Sequence, residues 1–253
     1  MKWTGVVSLC AVSLMLFASC HHSPTPHTMT ISAAISLKNV LDSLRTEYVQ
    51  TYPSADITFN LGASGALELQ IENGAPVDLF ISAAATYIDK LEQKRLILPG
   101  SRVIIAENRL VIIVPSNDSS IHSAKDLLNG NIHRVALGDP KSVPAGSYAA
   151  EALKKLHLFD ALTPKFIYGN DVRQVLTYVE TSNVDAGIVY TTDALESKQI
   201  RIAVELPDSL HEPITYPAAI IGTSKNQKEA KTFLNFLSSD SGQKILAQFG
   251  FHP

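Results

Sequence analysis

From Met29 onward, short apolar runs alternate with segments whose apolar residues recur every three or four positions. The runs "MTISAA", "ADITFNL", "VDLFISA", "LVIIVPS", "RVALGD", "DAGIVYT" and "PAAIIGT" are brief and rich in Val, Ile and Phe, which predicts strands. The helical pattern is clearest over 36–50, where Leu37, Val40, Leu41, Leu44 and Tyr48 form one stripe. A second helix is expected to start near Gly146, with Ala149, Ala152, Leu153 and Leu156 on its apolar face. Strands separated by helices predict an α/β fold with largely parallel sheets, and no internal repeat is present. In such sheets ligands collect at the carboxyl ends of strands, where loops lead into helices.

The helix starts are therefore the place to look for chemistry. Thr86–Asp89 ("TYID") and Ser123–Asp126 ("SAKD") have the form of a capping box, a hydroxyl followed three residues later by an acid. Three other starts lack an early acid. "SLKNVLD" from Ser36 has none before Asp42, and "SGALELQ" from Ser64 has none before Glu68. The Gly146 helix, within "DPKSVPAGSYAAEAL", waits until Glu151. All three follow predicted strands. Free N–H groups and hydroxyls without a built-in carboxylate suit an anion, although plain helix capping would use the same serines.

Composition narrows the partners. The chain has 253 residues, 45% of them hydrophobic, enough to bury a core and to form two lobes. Its formal charge of -3 and its lack of a Lys/Arg run give no reason to expect nucleic acid. The first twenty residues, "MKWTGVVSLCAVSLMLFASC", carry one early Lys and then an apolar run from Val6 to Ala18, too short to span a bilayer. They read as an export signal. "FASC" resembles the lipoprotein box, with Phe17 where Leu is usual, so Cys20 is expected to be lipidated. The alternative is an ordinary cleaved signal, although no A-x-A site is present. Cys10 falls inside the signal, which leaves Cys20 alone and excludes a disulfide framework. Residues 21–28 read as a polar tether. Its His21, His22 and His27 match no metal-ligand spacing, and the remaining histidines are scattered, so no residue is expected to ligate a metal directly.

Five segments carry a resemblance: "SAAISL", "GASGALELQIENGAPVDLFISA", "LGDPKSVPAGSYAAEAL", "NDVRQVL" and "AGIVYTTDAL". In this order and spacing the chain resembles the periplasmic molybdate-binding proteins of ABC importers, from Met29 to "AQFGF" at 247–251. The resemblance implies a two-lobe type II periplasmic-binding-protein fold with mixed, mostly parallel sheets and two hinge crossings. Residues 29–108 and 217–253 would form the first lobe and 109–216 the second. It further implies that an oxyanion lies between the lobes. Ser36 and Ser64 would donate from one side, and the backbone N–H groups of Ala145 and Val172 with the Tyr190 hydroxyl from the other. Asp171 could cap the helix of Val172, and Arg173 would either offset that charge or stand in solvent. Glycines 62, 65 and 146 would admit the ligand close to the backbone.

The function so implied is capture of molybdate, with tungstate as an analogue, and delivery to the permease of an ABC importer. The protein would be an exported monomer with no cofactor, held at a membrane by a lipid on Cys20. Two alternatives stand beside it. One is a receptor of the same fold for sulfate, phosphate or an organic acid. The other is a serine hydrolase, against which no G-x-S-x-G elbow and no His near a matched segment can be found.

Overall fold

The computed structural model describes Met1 and residues 28–252. The signal and tether, with Cys20, His21, His22 and His27, lie outside the described residues apart from Met1 and Thr28. The chain first builds β1 (Met29–Ala34), a 3-10 turn at Ile35–Leu37, α1 (Lys38–Thr51), β2 (Ile57–Gly62), α2 (Ser64–Glu72), β3 (Leu79–Ile81), α3 (Ala85–Gln93) and β4 (Val103–Glu107). It then crosses to β5 (Leu110–Pro115), a 3-10 turn at Ala124–Leu128, β6 (Val135–Gly138), α4 (Pro144–Lys155), α5 (Phe159–Leu162), β7 (Phe166–Gly169), α6 (Val172–Glu180), β8 (Ala186–Tyr190), α7 (Thr191–Leu195) and β9 (Ile200–Leu206). Finally it returns as β10 (Thr215–Ile220), α8 (Gln227–Leu237) and α9 (Asp240–Gln248).

Two five-stranded sheets result, ordered β2-β1-β3-β10-β4 and β7-β6-β8-β5-β9. The pairings of β1 with β2 and β3, and of β6 with β7 and β8, are parallel. Every antiparallel pairing between two of these strands involves β5 or β10, the strands that follow the two crossings. The sheets are thus mixed, and the antiparallel share exceeds what the alternating pattern suggests because each returning strand inserts against its neighbours' direction. Thr215 and Tyr216, placed in the second lobe by the sequence reading, pair with Glu107 and Ala106 in the first sheet. The apolar run begins at Pro217, but a register shift between Tyr216 and Pro217 lets the strand start two residues earlier.

The predicted stripe on α1 is buried as expected: Leu37, Val40, Leu41, Leu44 and Tyr48 all face the core. Ser36 and Leu37 precede that helix in the 3-10 turn. The α4 helix starts at Pro144, two residues before Gly146, because proline is tolerated where no intrahelical N–H bond is needed. The capping box at Ser123 and Asp126 forms, on a 3-10 turn. The one expected at Thr86 and Asp89 does not. The helix begins at Ala85, Ser82 Oγ accepts from the Ala84 N–H at 3.1 Å, and Asp89 binds Arg102 at 2.6 Å instead.

Candidate functional site

The three helix starts without an early acid sit at carboxyl ends of the parallel-paired strands β1, β2 and β6, and these ends meet across the two sheets. The space between them is a small pocket. Ser36, Ser64, Ala145, Val172 and Tyr190 all line it, with Ala83 and Pro144 among the further wall residues. Ser36 follows β1, Ser64 follows β2, Ala145 follows β6, Val172 follows β7 and Tyr190 ends β8.

Neither serine caps its helix, since no side-chain cap bond is present at either start. Ser64 Oγ instead accepts a hydrogen bond from the Ala83 N–H at 3.0 Å. That backbone donor occupies a lone pair and leaves the Ser64 proton for another acceptor. Ser36 Oγ lies 3.0 Å from the Tyr216 hydroxyl, in a buried contact. On the opposite wall, Pro144 contributes no N–H, while the N–H groups of Gly146 and Ser147 both reach Val143 O at 3.0 and 3.1 Å. The Ala145 N–H is therefore the first-turn donor that the turn itself leaves over. At α6, Asp171 does cap: its Oδ1 accepts from the Gln174 N–H at 2.8 Å. The bond takes the third N–H of the helix, not that of Val172 at the first position.

Tyr190 is the most telling of the five. It is fully buried, and its hydroxyl finds no hydrogen-bond partner among the described residues. Burial pushes its pKa well above the ordinary tyrosine value, with the nearby Tyr216 adding to the effect. The group thus remains a protonated donor at any working pH. A buried hydroxyl without a partner costs about 1–3 kcal/mol, so its position against a pocket implies an acceptor from outside the chain.

Beside the pocket, Arg173 and Asp193 are paired with each other. Arg173 Nε lies 2.7 Å from Asp193 Oδ1, with the carboxylate fully buried. Both atoms lack an aligned hydrogen bond, so the contact is an ion pair by distance. Arg173 neither stands in solvent nor offsets Asp171; its partner is Asp193. No acid lies in the first turn at Ile35–Leu37, α2 or α4. What faces the pocket is consequently a set of hydroxyls and helix N-terminal N–H groups, and their partial charges favour an anion.

Two of the three glycines expected beside the ligand serve packing. A Cβ on Gly146 would fall 1.9 Å from Gly138 O, so this glycine lets α4 press onto the end of β6. A Cβ on Gly65 would meet Ser142 O at 2.8 Å, on the other lobe. The Gly65 N–H donates to that same oxygen at 3.0 Å, and Asn39 Nδ2 donates to Glu196, so the lobes are closed on the pocket. Gly62 lines the pocket. Sequence reasoning missed the layer behind Ser36, namely Tyr216 and Asn108. The available signal was the polar "ENR" between two apolar runs, which marks the crossing.

A family model described as bacterial extracellular solute-binding protein matches residues 29–252. A Bacillus subtilis protein provisionally named as an ABC transporter substrate-binding lipoprotein is 42% identical over 251 residues, covering 97% of this chain and 96% of its own length. The molybdate-binding protein of Escherichia coli is 36% identical over 230 residues, 88% of each chain. Among solved structures, the periplasmic molybdate-binding protein of Azotobacter vinelandii superposes with a TM-score of 0.82 at 23% identity, over 89% of this chain and 99% of that one. This last likeness concerns the fold.

Proposed function

Because the chain belongs to the bacterial extracellular solute-binding proteins, we propose that it captures molybdate, with tungstate as an analogue, and delivers it to an ABC importer. The observation that carries the reading is the partnerless, fully buried Tyr190 hydroxyl on a pocket otherwise furnished with donors. A dianion with four acceptor oxygens complements such a wall. Ser36 and Ser64 donate through their hydroxyls, Ala145 and Val172 through backbone N–H groups, and Tyr190 through its phenol. No side chain in the set acts as a base or nucleophile, which supports a receptor that releases its ligand unchanged. The anion needs no cofactor, and molybdenum is held only through its oxygens.

Calorimetric titration with molybdate, tungstate, sulfate and phosphate tests the proposal. Molybdate and tungstate are expected to bind with similar affinity and at least about 100-fold more tightly than the other two, a gap of about 2.7 kcal/mol. A preference for sulfate or phosphate would replace molybdate as the ligand. The receptor is further proposed to act as an exported monomer anchored through a lipid on Cys20, a reading supported by the lipoprotein naming of the Bacillus relative. Protein made with its own signal should then partition into detergent, and Cys20→Ser should abolish that partitioning. Wild-type protein recovered in the aqueous phase with an unmodified N-terminus would refute the anchor.

A further inference from the structure

Behind Ser36 lies a short chain of buried polar groups with one consistent direction. Asn108 sits at the first crossing between the sheets, and its Oδ1 accepts from the Arg109 N–H at 2.8 Å. Only the oxygen end of the amide can accept that bond, so the nitrogen end is fixed on the other side. From there Nδ2 donates to Thr192 Oγ1 at 2.9 Å and to the Tyr216 hydroxyl at 3.2 Å. Tyr216 is fully buried and has one proton to place. Of its two partners, the Asn108 nitrogen cannot accept, which leaves Ser36 Oγ at 3.0 Å as the acceptor. Ser36 thereby receives a hydrogen bond from behind, and its own proton is left to face the pocket.

We infer that Tyr216, oriented by Asn108, is a positioning residue that aims the Ser36 proton into the pocket and presents that serine to the ligand as a donor. The inference rests on the oxyanion reading of the pocket. It adds a selectivity element to that reading. Ser64 is held in the same sense by the Ala83 N–H, so both hydroxyls of the first lobe arrive as donors with a lone pair already occupied. A fully deprotonated tetrahedral oxyanion matches such a wall. An anion that keeps a proton faces the two serine protons and has only the single lone pair left on each oxygen to accept its own. Successive bonds in one direction also polarise each other, which strengthens the last donor. Because Asn108 belongs to the crossing and Thr192 to the second lobe, the direction of this chain is set across the hinge.

A double-mutant cycle on molybdate affinity tests the inference. Tyr216→Phe retains the ring that packs edge-on against Phe251 and near Tyr190, so the variant should fold, and its unliganded melting temperature checks this. In the wild-type background it should weaken molybdate by about three- to tenfold. In the Ser36→Ala background the same substitution should change affinity by less than about 1.5-fold, because the group it acts through is gone. A loss of the same size in both backgrounds would assign Tyr216 a merely structural role and overturn the inference. So would an unchanged affinity in Tyr216→Phe alone. Failure of the underlying reading is separable: wild-type protein would then not bind molybdate, or Ser36→Ala alone would bind it as tightly as wild type.

Discussion

At the scale of single residues, two donors on the same pocket should fail differently when removed. The Tyr190 hydroxyl has no partner among the described residues, whereas Ser64 uses its oxygen to satisfy the Ala83 N–H. Tyr190→Phe deletes a hydrogen bond to a charged ligand, which contributes roughly 1.5–3 kcal/mol, so molybdate affinity should fall about 10- to 150-fold. Unliganded stability should stay level or rise slightly, since an unpaired buried hydroxyl has been removed. Ser64→Ala should lower affinity and also stability, by about 1–3 kcal/mol, because a buried backbone donor loses its acceptor. Calorimetry and urea unfolding on both variants separate the two patterns. Equal stability losses would mean that the Tyr190 hydroxyl has a structural partner after all.

At the scale of elements, the starts of α6 and α7 are tied together by Arg173 and Asp193. Burial pushes the Asp193 carboxyl up to about 7, against the lowering influence of Arg173. A carboxyl with a folded pKa above its unfolded value binds its proton more tightly when folded. Its contribution to stability is therefore greatest below the unfolded value near 4 and declines as pH rises toward 7. In Arg173→Ala the lowering influence is gone, so the folded pKa should rise further and the decline should continue above pH 7. Relative to wild type, the variant is expected to lose up to about 1.4 kcal/mol of additional stability for each pH unit above 7. Urea unfolding from pH 5 to 9 reads this as a divergence. A constant offset between the curves would instead point to lost packing alone.

The elements also show what could be read beforehand. Seven strands are picked out by the apolar runs quoted above, and the three that are not, β4, β7 and β9, lie at sheet edges, as does the recognised β2. Edge strands expose one flank, and their burial is irregular, with Ile104, Ile167, Tyr168 and Ile202 facing solvent. Even so, β4 holds the apolar run "VIIA" and β9 the alternating "IRIAVEL", and only the four-residue "FIYG" of β7 is too short to stand out. The five pocket residues were reachable because helix starts carry local signatures and because short ordered segments resemble a known family. Asn108 is marked only as part of the polar crossing, and its partner Tyr216 is not marked at all, because a hydrogen bond between residues 108 positions apart leaves no trace on local sequence.

For the whole molecule the question is how an anion and a closed cleft depend on each other. Donors divided between lobes favour closure only while something bridges them, so molybdate should make the particle more compact in small-angle scattering. Gly65 offers a way to separate closure from binding chemistry. It lines no part of the pocket wall described above, yet its N–H meets Ser142 O of the other lobe at 3.0 Å. In the closed form an added Cβ would lie 2.8 Å from that oxygen, 2.9 Å from Ser142 Cα and 2.9 Å from Tyr87 Cε1. The Tyr87 ring belongs to the same lobe and can shift, but the Ser142 backbone can withdraw only if the lobes part. Gly65→Ala should thus disfavour closure while leaving every donor to the anion chemically intact. Alanine in the first turn of α2 is also the better helix former, so unliganded melting should be unchanged or slightly higher. If the closed population drops to about a tenth, apparent molybdate affinity drops about tenfold in proportion. Scattering at molybdate concentrations that saturate the wild type should show a particle still close to its open dimensions. Wild-type compaction and affinity in Gly65→Ala would show that closure does not depend on the Gly65–Ser142 approach.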